Sequence, residues 1–191
     1  MKPEIPSIEL SLRDEAATRA LAAAVAPHLG PGFVLYLSGE LGAGKTAFTR
    51  ALLRALGWSG RVRSPTFTLA ELYKLPNFEL YHFDFYRFAG GDEWREAGIG
   101  DYLGGDAAAV VEWPEMAEGG LPDPDVWIRL GYPDEDQLAL GPDSATERRW
   151  AHISAATEQG RACVTGISDA CALRLLAGVS FKAPSGSSPL P

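Results

Sequence analysis

The chain is poor in the residues that build several kinds of site. Its two cysteines, Cys163 and Cys171, stand late in the sequence with seven residues between them, a spacing that suits neither a C-x-x-C redox pair nor a zinc site. They read as incidental thiols of a reducing compartment. The three histidines, His28, His82 and His152, are scattered and form no metal or nucleophile motif, and His82, inside a strand-like run, reads as a packed or hydrogen-bonded histidine. The only asparagine is Asn77, followed by Phe78, so the guanine-reading N-K-x-D motif is absent. No stretch approaches the roughly 20 apolar residues of a membrane span, and the N-terminal residues lack the apolar centre of a signal segment. A cytoplasmic protein with no membrane association is therefore expected. Basic residues are also in deficit: 17 lysines and arginines face 25 aspartates and glutamates, a net charge of −8. Such a balance repels a phosphate backbone and disfavours direct, tight binding to nucleic acid.

What is present is ordinary globular material. Of 191 residues, 46% are hydrophobic and 22% charged, enough for one domain with its own core. Ser11 and Asp14 resemble a capping box, and Ala16, Ala20, Leu21, Ala24 and Val25 recur at helical spacing, which predicts a helix from Leu12 to Ala26. Phe33 to Leu37 is a continuous apolar run bounded by glycine, the pattern of a strand buried on both faces. Lys45 to Leu56 returns to helical period. Thr66 to Leu75 and Phe78 to Phe85 read as an antiparallel hairpin through Pro76 and Asn77. A short helix near Asp92 to Ala97 and a strand from Ala107 to Val111 follow. Two closing strands, Val126 to Leu130 and Gln137 to Leu140, and a last helix from Ala145 to Thr157 are expected. Beyond Gly160 the signal weakens to a short helix from Asp169 to Ala177 and a Pro, Ser and Gly-rich tail.

The residues Gly39, Glu40, Leu41, Gly42, Ala43, Gly44, Lys45 and Thr46 satisfy G-x-x-x-x-G-K-[ST], and they lie between the buried strand and the helix. Glycines let consecutive N–H groups curl around phosphate oxygens, the helix N-terminus adds positive charge, and Lys45 reaches the β and γ phosphates. The Thr46 hydroxyl suits Mg²⁺, a hard ion that prefers oxygen donors. The missing N-K-x-D motif favours ATP over GTP. Asp84 and Glu112 each end an apolar run, where a P-loop protein keeps the carboxylates that hold magnesium or orient water. Spacing alone does not divide those two roles between them. Ser64 and Thr66 lie where switch segments sense a γ-phosphate, and Arg61, Arg63 and Arg87 are nearby cations. A small-molecule kinase and a nucleotide-gated binding module without hydrolysis stay open as alternatives to an ATPase.

Four segments in order, GELGAGKT at 39–46, SPTFTL at 64–69, HFDFYR at 82–87 and VEWPE at 111–115, closely resemble the bacterial TsaE family, and LPDPD at 121–125 agrees. The resemblance spans about residues 8 to 155. It implies the ATPase component of tRNA threonylcarbamoyladenosine biosynthesis, slow alone and dependent on partners, with Mg²⁺ as cofactor and ATP as substrate. The implied partners are TsaB and TsaD type proteins, the heterodimer that performs threonylcarbamoyl transfer, so tRNA is met only indirectly. By motif position, Lys45 and Thr46 serve the phosphates and magnesium, with Ala47 beside them, Glu112 looks like a metal ligand, and Asp84 looks like the acid needed for hydrolysis. Glu15, in the segment that covers nucleotide in the family, is placed near the base. The implied fold is an α/β P-loop nucleotide-binding fold with a mixed, mostly parallel central sheet that includes an antiparallel hairpin. Residues 1–157 are expected to form the ATPase domain, and residues 158–191 a partly disordered C-terminal extension.

Overall fold

A computed structural model describes residues 6–65, 68–90, 92–117, 120–133 and 148–181. In chain order the elements are β1 (Ser7–Leu12), α1 (Glu15–Val25), β2 (Val34–Ser38), α2 (Lys45–Ala55), β3 (Ala70–Lys74), β4 (Glu79–Asp84), α3 (Glu93–Glu96), β5 (Ala108–Glu112), β6 (Val126–Gly131), β7 (Arg149–Ala155), α4 (Glu158–Ala172) and β8 (Val179–Phe181). Among the described residues the eight strands make one sheet in the order β3-β4-β5-β2-β6-β7-β1-β8. Its centre is parallel, with β4 beside β5, β5 beside β2 and β2 beside β6. Its flanks are antiparallel: β3 on β4 at one side, and β6 to β7 to β1 to β8 at the other.

The two faces of β2 explain the layering. Leu35 and Leu37 point into a core with Leu21 and Val25 of α1, Phe48 and Leu52 of α2, and Ile167 of α4. Val34 and Tyr36 point the other way, into a smaller aromatic core with Phe83, Phe85, Phe88 and Trp94. A strand buried on both faces has no room for polar alternation, which is why its sequence is a continuous apolar run. Asp125 ties the sheet to α4. Its Oδ2 accepts from the Val34 N–H at 2.8 Å, and its Oδ1 accepts from the hydroxyl of Thr157, the residue that caps α4. The hairpin expected through Pro76 and Asn77 forms from β3 and β4, in register from Ala70 opposite Phe83 to Lys74 opposite Glu79.

Three local expectations are corrected. The segment expected as a helix from Ala145 to Thr157 carries β7, whose Ala151, Ile153 and Ala155 are buried at every second position. Alanine-rich composition points to helix, but the segment is clamped between β6 and β1, and tertiary pairing overrides propensity. The first helix begins later than expected. Asp14, not Ser11, is its N-cap and accepts from the Ala17 N–H at 2.9 Å, while Ser7–Leu12 is a strand that sequence reading missed. Of the helix expected from Asp169 to Ala177 only Asp169 to Ala172 is helical, as the end of the longer α4, and the chain from Leu173 turns toward β8.

Residues 158–181, read from sequence as the beginning of an extension, supply α4 and β8. Cys163, Val164 and Ile167 of α4 lie in the main core, and β8 pairs with β1. The strand expected at Gln137 to Leu140 lies outside the described residues, as do residues 182–191. No helix among the described residues is long and apolar enough to cross a membrane.

Candidate functional site

The parallel centre brings the C-terminal ends of β2, β4 and β5 to one edge of the sheet, so that Ser38, Asp84 and Glu112 end there side by side. After Ser38 the chain turns at Gly39, whose φ is 130°. A Cβ there would lie 1.9 Å from the Leu130 carbonyl oxygen, so only glycine lets the loop pass this close to β6. Gly44, at φ 107°, caps α2 with no side-chain hydrogen bond, and no acid stands in the first turn. The helix's own first turn therefore offers no negative charge to its positive end.

Lys45 is 5% exposed. Its Nζ donates to the Gly39 carbonyl at 2.6 Å and the Glu40 carbonyl at 3.0 Å, and lies 3.5 Å from the centre of the Trp113 ring. Burial lowers its pKa from the ordinary lysine value, while the charges of Glu112, Glu115 and Asp84 act in the opposite sense. Trp113 reaches this position because its backbone turns to φ 59°, uncommon for a bulky residue. Its ring also rests 5.0 Å from that of Tyr86.

Two buried carboxylates complete the edge. Glu112, 1% exposed, closes β5 and gathers donors from both neighbouring elements. Thr46 donates to its Oε2 at 2.9 Å, His82 Nε2 lies 2.8 Å from its Oε1, and the Thr49 hydroxyl, whose single proton is shared with the Lys45 carbonyl at 3.1 Å, lies 3.2 Å from the same Oε1. Asp84 closes β4 directly opposite Glu112 in the pairing. It accepts from the Ser64 hydroxyl at 3.1 Å and from the Tyr86 N–H at 3.0 Å. A hydroxyl, two carboxylates and little else of softer character make a donor set that suits a hard divalent cation.

A cavity of about 280 Å³ over the loop is lined by Leu41, Gly42, Gly44, Lys45, Thr46, Ala47, Ser64, Asp84, Tyr86, Glu112 and Trp113. It gathers most of the residues singled out from sequence. Gly39 and Glu40 line a second cavity on the other side of the loop, with Trp127, Arg129, Tyr132 and Trp150. Ala43 is packed into the main core. Glu15 lies in the first turn of α1, exposed and paired with Arg19 at 2.8 Å, and is not among the residues lining the cavity. None of Arg61, Arg63 and Arg87 lines it either. Thr66 lies outside the described residues. Sequence reading gave no role to Thr49, Tyr86 or His82. Thr49 was detectable as the residue one turn beyond Lys45 on the same helix face, whereas the approach of His82 to Glu112 depends on strand pairing that no local pattern reveals.

The molecule is thus a mixed α/β protein in which a glycine loop, a lysine and two strand-end acids meet at the edge of a parallel sheet centre. Residues 12–139 match the family model described as TsaE, threonylcarbamoyl adenosine biosynthesis protein TsaE. The chain is 42% identical over 108 residues to the tRNA threonylcarbamoyladenosine biosynthesis protein TsaE of Haemophilus influenzae, covering 56% of this chain and 68% of that one. It is 38% identical over 123 residues to the protein of the same name from Bacillus subtilis, covering 64% and 77%. The Rickettsia bellii relative is 36% identical over 127 residues, covering 66% of this chain and 88% of its own. Among solved structures, Bacillus subtilis YdiB superposes with a TM-score of 0.68 at 26% identity, covering 87% of this chain and 97% of that one. The chain belongs to the TsaE family.

Proposed function

We propose that this chain is the ATP-binding and ATP-hydrolysing subunit of the machinery that makes threonylcarbamoyladenosine in tRNA, and that it acts through protein partners. Membership of the TsaE family supports the pathway. The observation that carries the nucleotide reading is the convergence of Lys45, the Thr46–Glu112 pair and the Ser64–Asp84 pair on one cavity above a glycine loop.

In this reading the loop N–H groups and the start of α2 hold the phosphate chain of ATP. Lys45 exchanges its bonds to the Gly39 and Glu40 carbonyls for bonds to phosphate oxygens. Trp113, stacked on the ammonium, keeps the lysine side chain at the cavity wall. The Thr46 hydroxyl and the Glu112 carboxylate are the groups that hold Mg²⁺, which when bound neutralises charge on the phosphates. Asp84, its carboxylate fixed by Ser64 and by the Tyr86 N–H, orients the attacking water and accepts its proton. Ser64 joins that acid to the segment before β3, so turnover at the phosphate is felt at the surface of the molecule.

The threonylcarbamoyl transfer belongs to partners of TsaB and TsaD type. A net charge of −8 fits a subunit that meets tRNA only through them. Hydrolysis by the isolated chain is expected at about 10⁻⁴ to 10⁻² per second and rises when both partners are added. The test is phosphate release by the chain with both partners, compared with Asp84→Asn under the same conditions. Equal rates would contradict the role of Asp84, and transfer of phosphate to a metabolite in place of water would identify a kinase.

A further inference from the structure

Glu112 is almost wholly buried, and its two oxygens face different neighbours. Oε2 is bonded to Thr46, which lines the cavity; Oε1 is bonded to Thr49 and His82, neither of which does. A carboxylate only accepts, so His82 Nε2 must carry the proton that it donates. The rest of that imidazole is poorly served. The side chain is fully buried, and Nδ1 has no hydrogen-bond partner among the described residues. A buried polar atom left without a partner is costly, and an apolar ring of similar shape would fill the same space without that cost. The one bond that justifies a histidine here is the one to Glu112.

We propose that His82 is a positioning residue: its Nε2–H, with the Thr49 hydroxyl, fixes Glu112 Oε1 from within the core, so that Oε2 alone is presented to a divalent cation accompanying ATP. The inference rests on the nucleotide reading above. The His82 N–H, with a weaker hold from the Thr49 hydroxyl that also serves the Lys45 carbonyl, stops the carboxylate from turning and keeps it from swinging toward the Lys45 ammonium when Thr46 gives up its own bond. Hydrogen bonds to the back of a ligating group commonly change metal affinity by about 10- to 100-fold. The arrangement is economical in sequence. His82 and Asp84 are two residues apart on the same face of β4, opposite Val110 and Glu112 of β5, so one strand both aims the metal-side acid and carries the water-side acid.

The test is calorimetric titration of ATP into the full chain, once with excess magnesium chloride and once with EDTA, for wild type, His82→Phe, His82→Gln and Thr49→Val. Wild type is expected to bind ATP in both buffers and more tightly with magnesium. In His82→Phe the gain from magnesium falls about tenfold, while binding in EDTA stays within about twofold. His82→Gln, whose amide N–H takes the place of Nε2–H, recovers most of the gain, and Thr49→Val shows a smaller loss of the same kind. A folded His82→Phe protein with the wild-type magnesium gain overturns the proposal, as does an equal loss in both buffers or a His82→Gln that recovers nothing. If His82→Phe does not fold, an unchanged magnesium gain in Thr49→Val overturns it instead. Failure of wild type to take up ATP in either buffer is a separate result that removes the nucleotide reading, and the inference with it.

Discussion

β2, β4 and β5 run parallel and end in Ser38, Asp84 and Glu112 at one edge, whereas β7, β1 and β8 run antiparallel and fill their inward positions with Ala151, Ile153, Leu10, Leu12 and Val179. Both regions are well buried, yet only the first spends burial on polar groups. Parallel strands all finish on the same side, so three successive strand ends deliver their side chains to a common place beside the loop that starts α2. Antiparallel neighbours finish on alternating sides and have no such edge to offer. The flank holds the fold, and the centre gathers the polar groups of the candidate site at some expense in desolvation.

That division can be broken by experiment. The largest effect is expected in the flank: Ile153→Ala, at a fully buried position of β7, should cost about 2–5 kcal/mol in denaturant unfolding and leave ATP affinity of the folded protein unchanged. Next comes its counterpart in the centre. Lys45→Ala should lower hydrolysis about 10²- to 10³-fold with partners present, with little change in unfolding midpoint, because removing a desolvated ammonium also removes a burial cost. If the two variants gave the same pattern, the contrast between flank and centre would be wrong.

A third variant tests the joint between the regions. Asp125 bonds the start of β2 and the cap of α4, and Asp125→Asn replaces an acceptor with a group that cannot satisfy both donors. A loss of about 1–3 kcal/mol is expected in thermal or denaturant unfolding, with the lysine site unaffected.

The smallest effect is a pH dependence that belongs to the centre alone. Burial makes the Lys45 ammonium give up its proton more readily than an ordinary lysine. ATP affinity should therefore be complete at neutral pH and decline as pH rises through the lowered value, beginning below the usual 10.5. The stability of the free chain moves the other way, gaining across that same window because the unfolded lysine still binds a proton that the folded one has lost. Lys45→Arg, whose guanidinium keeps its charge, should flatten the affinity profile in a calorimetric pH series.

The centre was the more legible region from sequence, and for a physical reason. A strand buried on both faces, a glycine loop and a helix are each determined locally, so Phe33 to Leu56 could be placed by pattern, and Asp84 and Glu112 could be picked out as strand ends. The flank depends on pairing between residues far apart. Arg149–Ala155 takes strand form because β6 and β1 bind it on both sides, and nothing within RWAHISA outweighs the helical leaning of the residues around it. Ser7–Leu12 was hidden similarly, its alternation of Ile8, Leu10 and Leu12 being too short to stand out beside a strong helix start. Within the site, most of the polar residues that line the cavity were legible, but the supporting bonds of Thr49 and His82 to Glu112 were not, since they join three elements that only the tertiary fold brings together.

The most direct measurement is titration of ATP into the wild-type chain and into Lys45→Ala, each first shown to be folded by its unfolding transition. A single saturable site in the wild type, weakened by about 10²-fold or more in the variant, is the predicted result. Equal uptake by both proteins, or no uptake by folded wild type, would contradict the assignment of the loop at Gly39 to Thr46 as the phosphate-binding site.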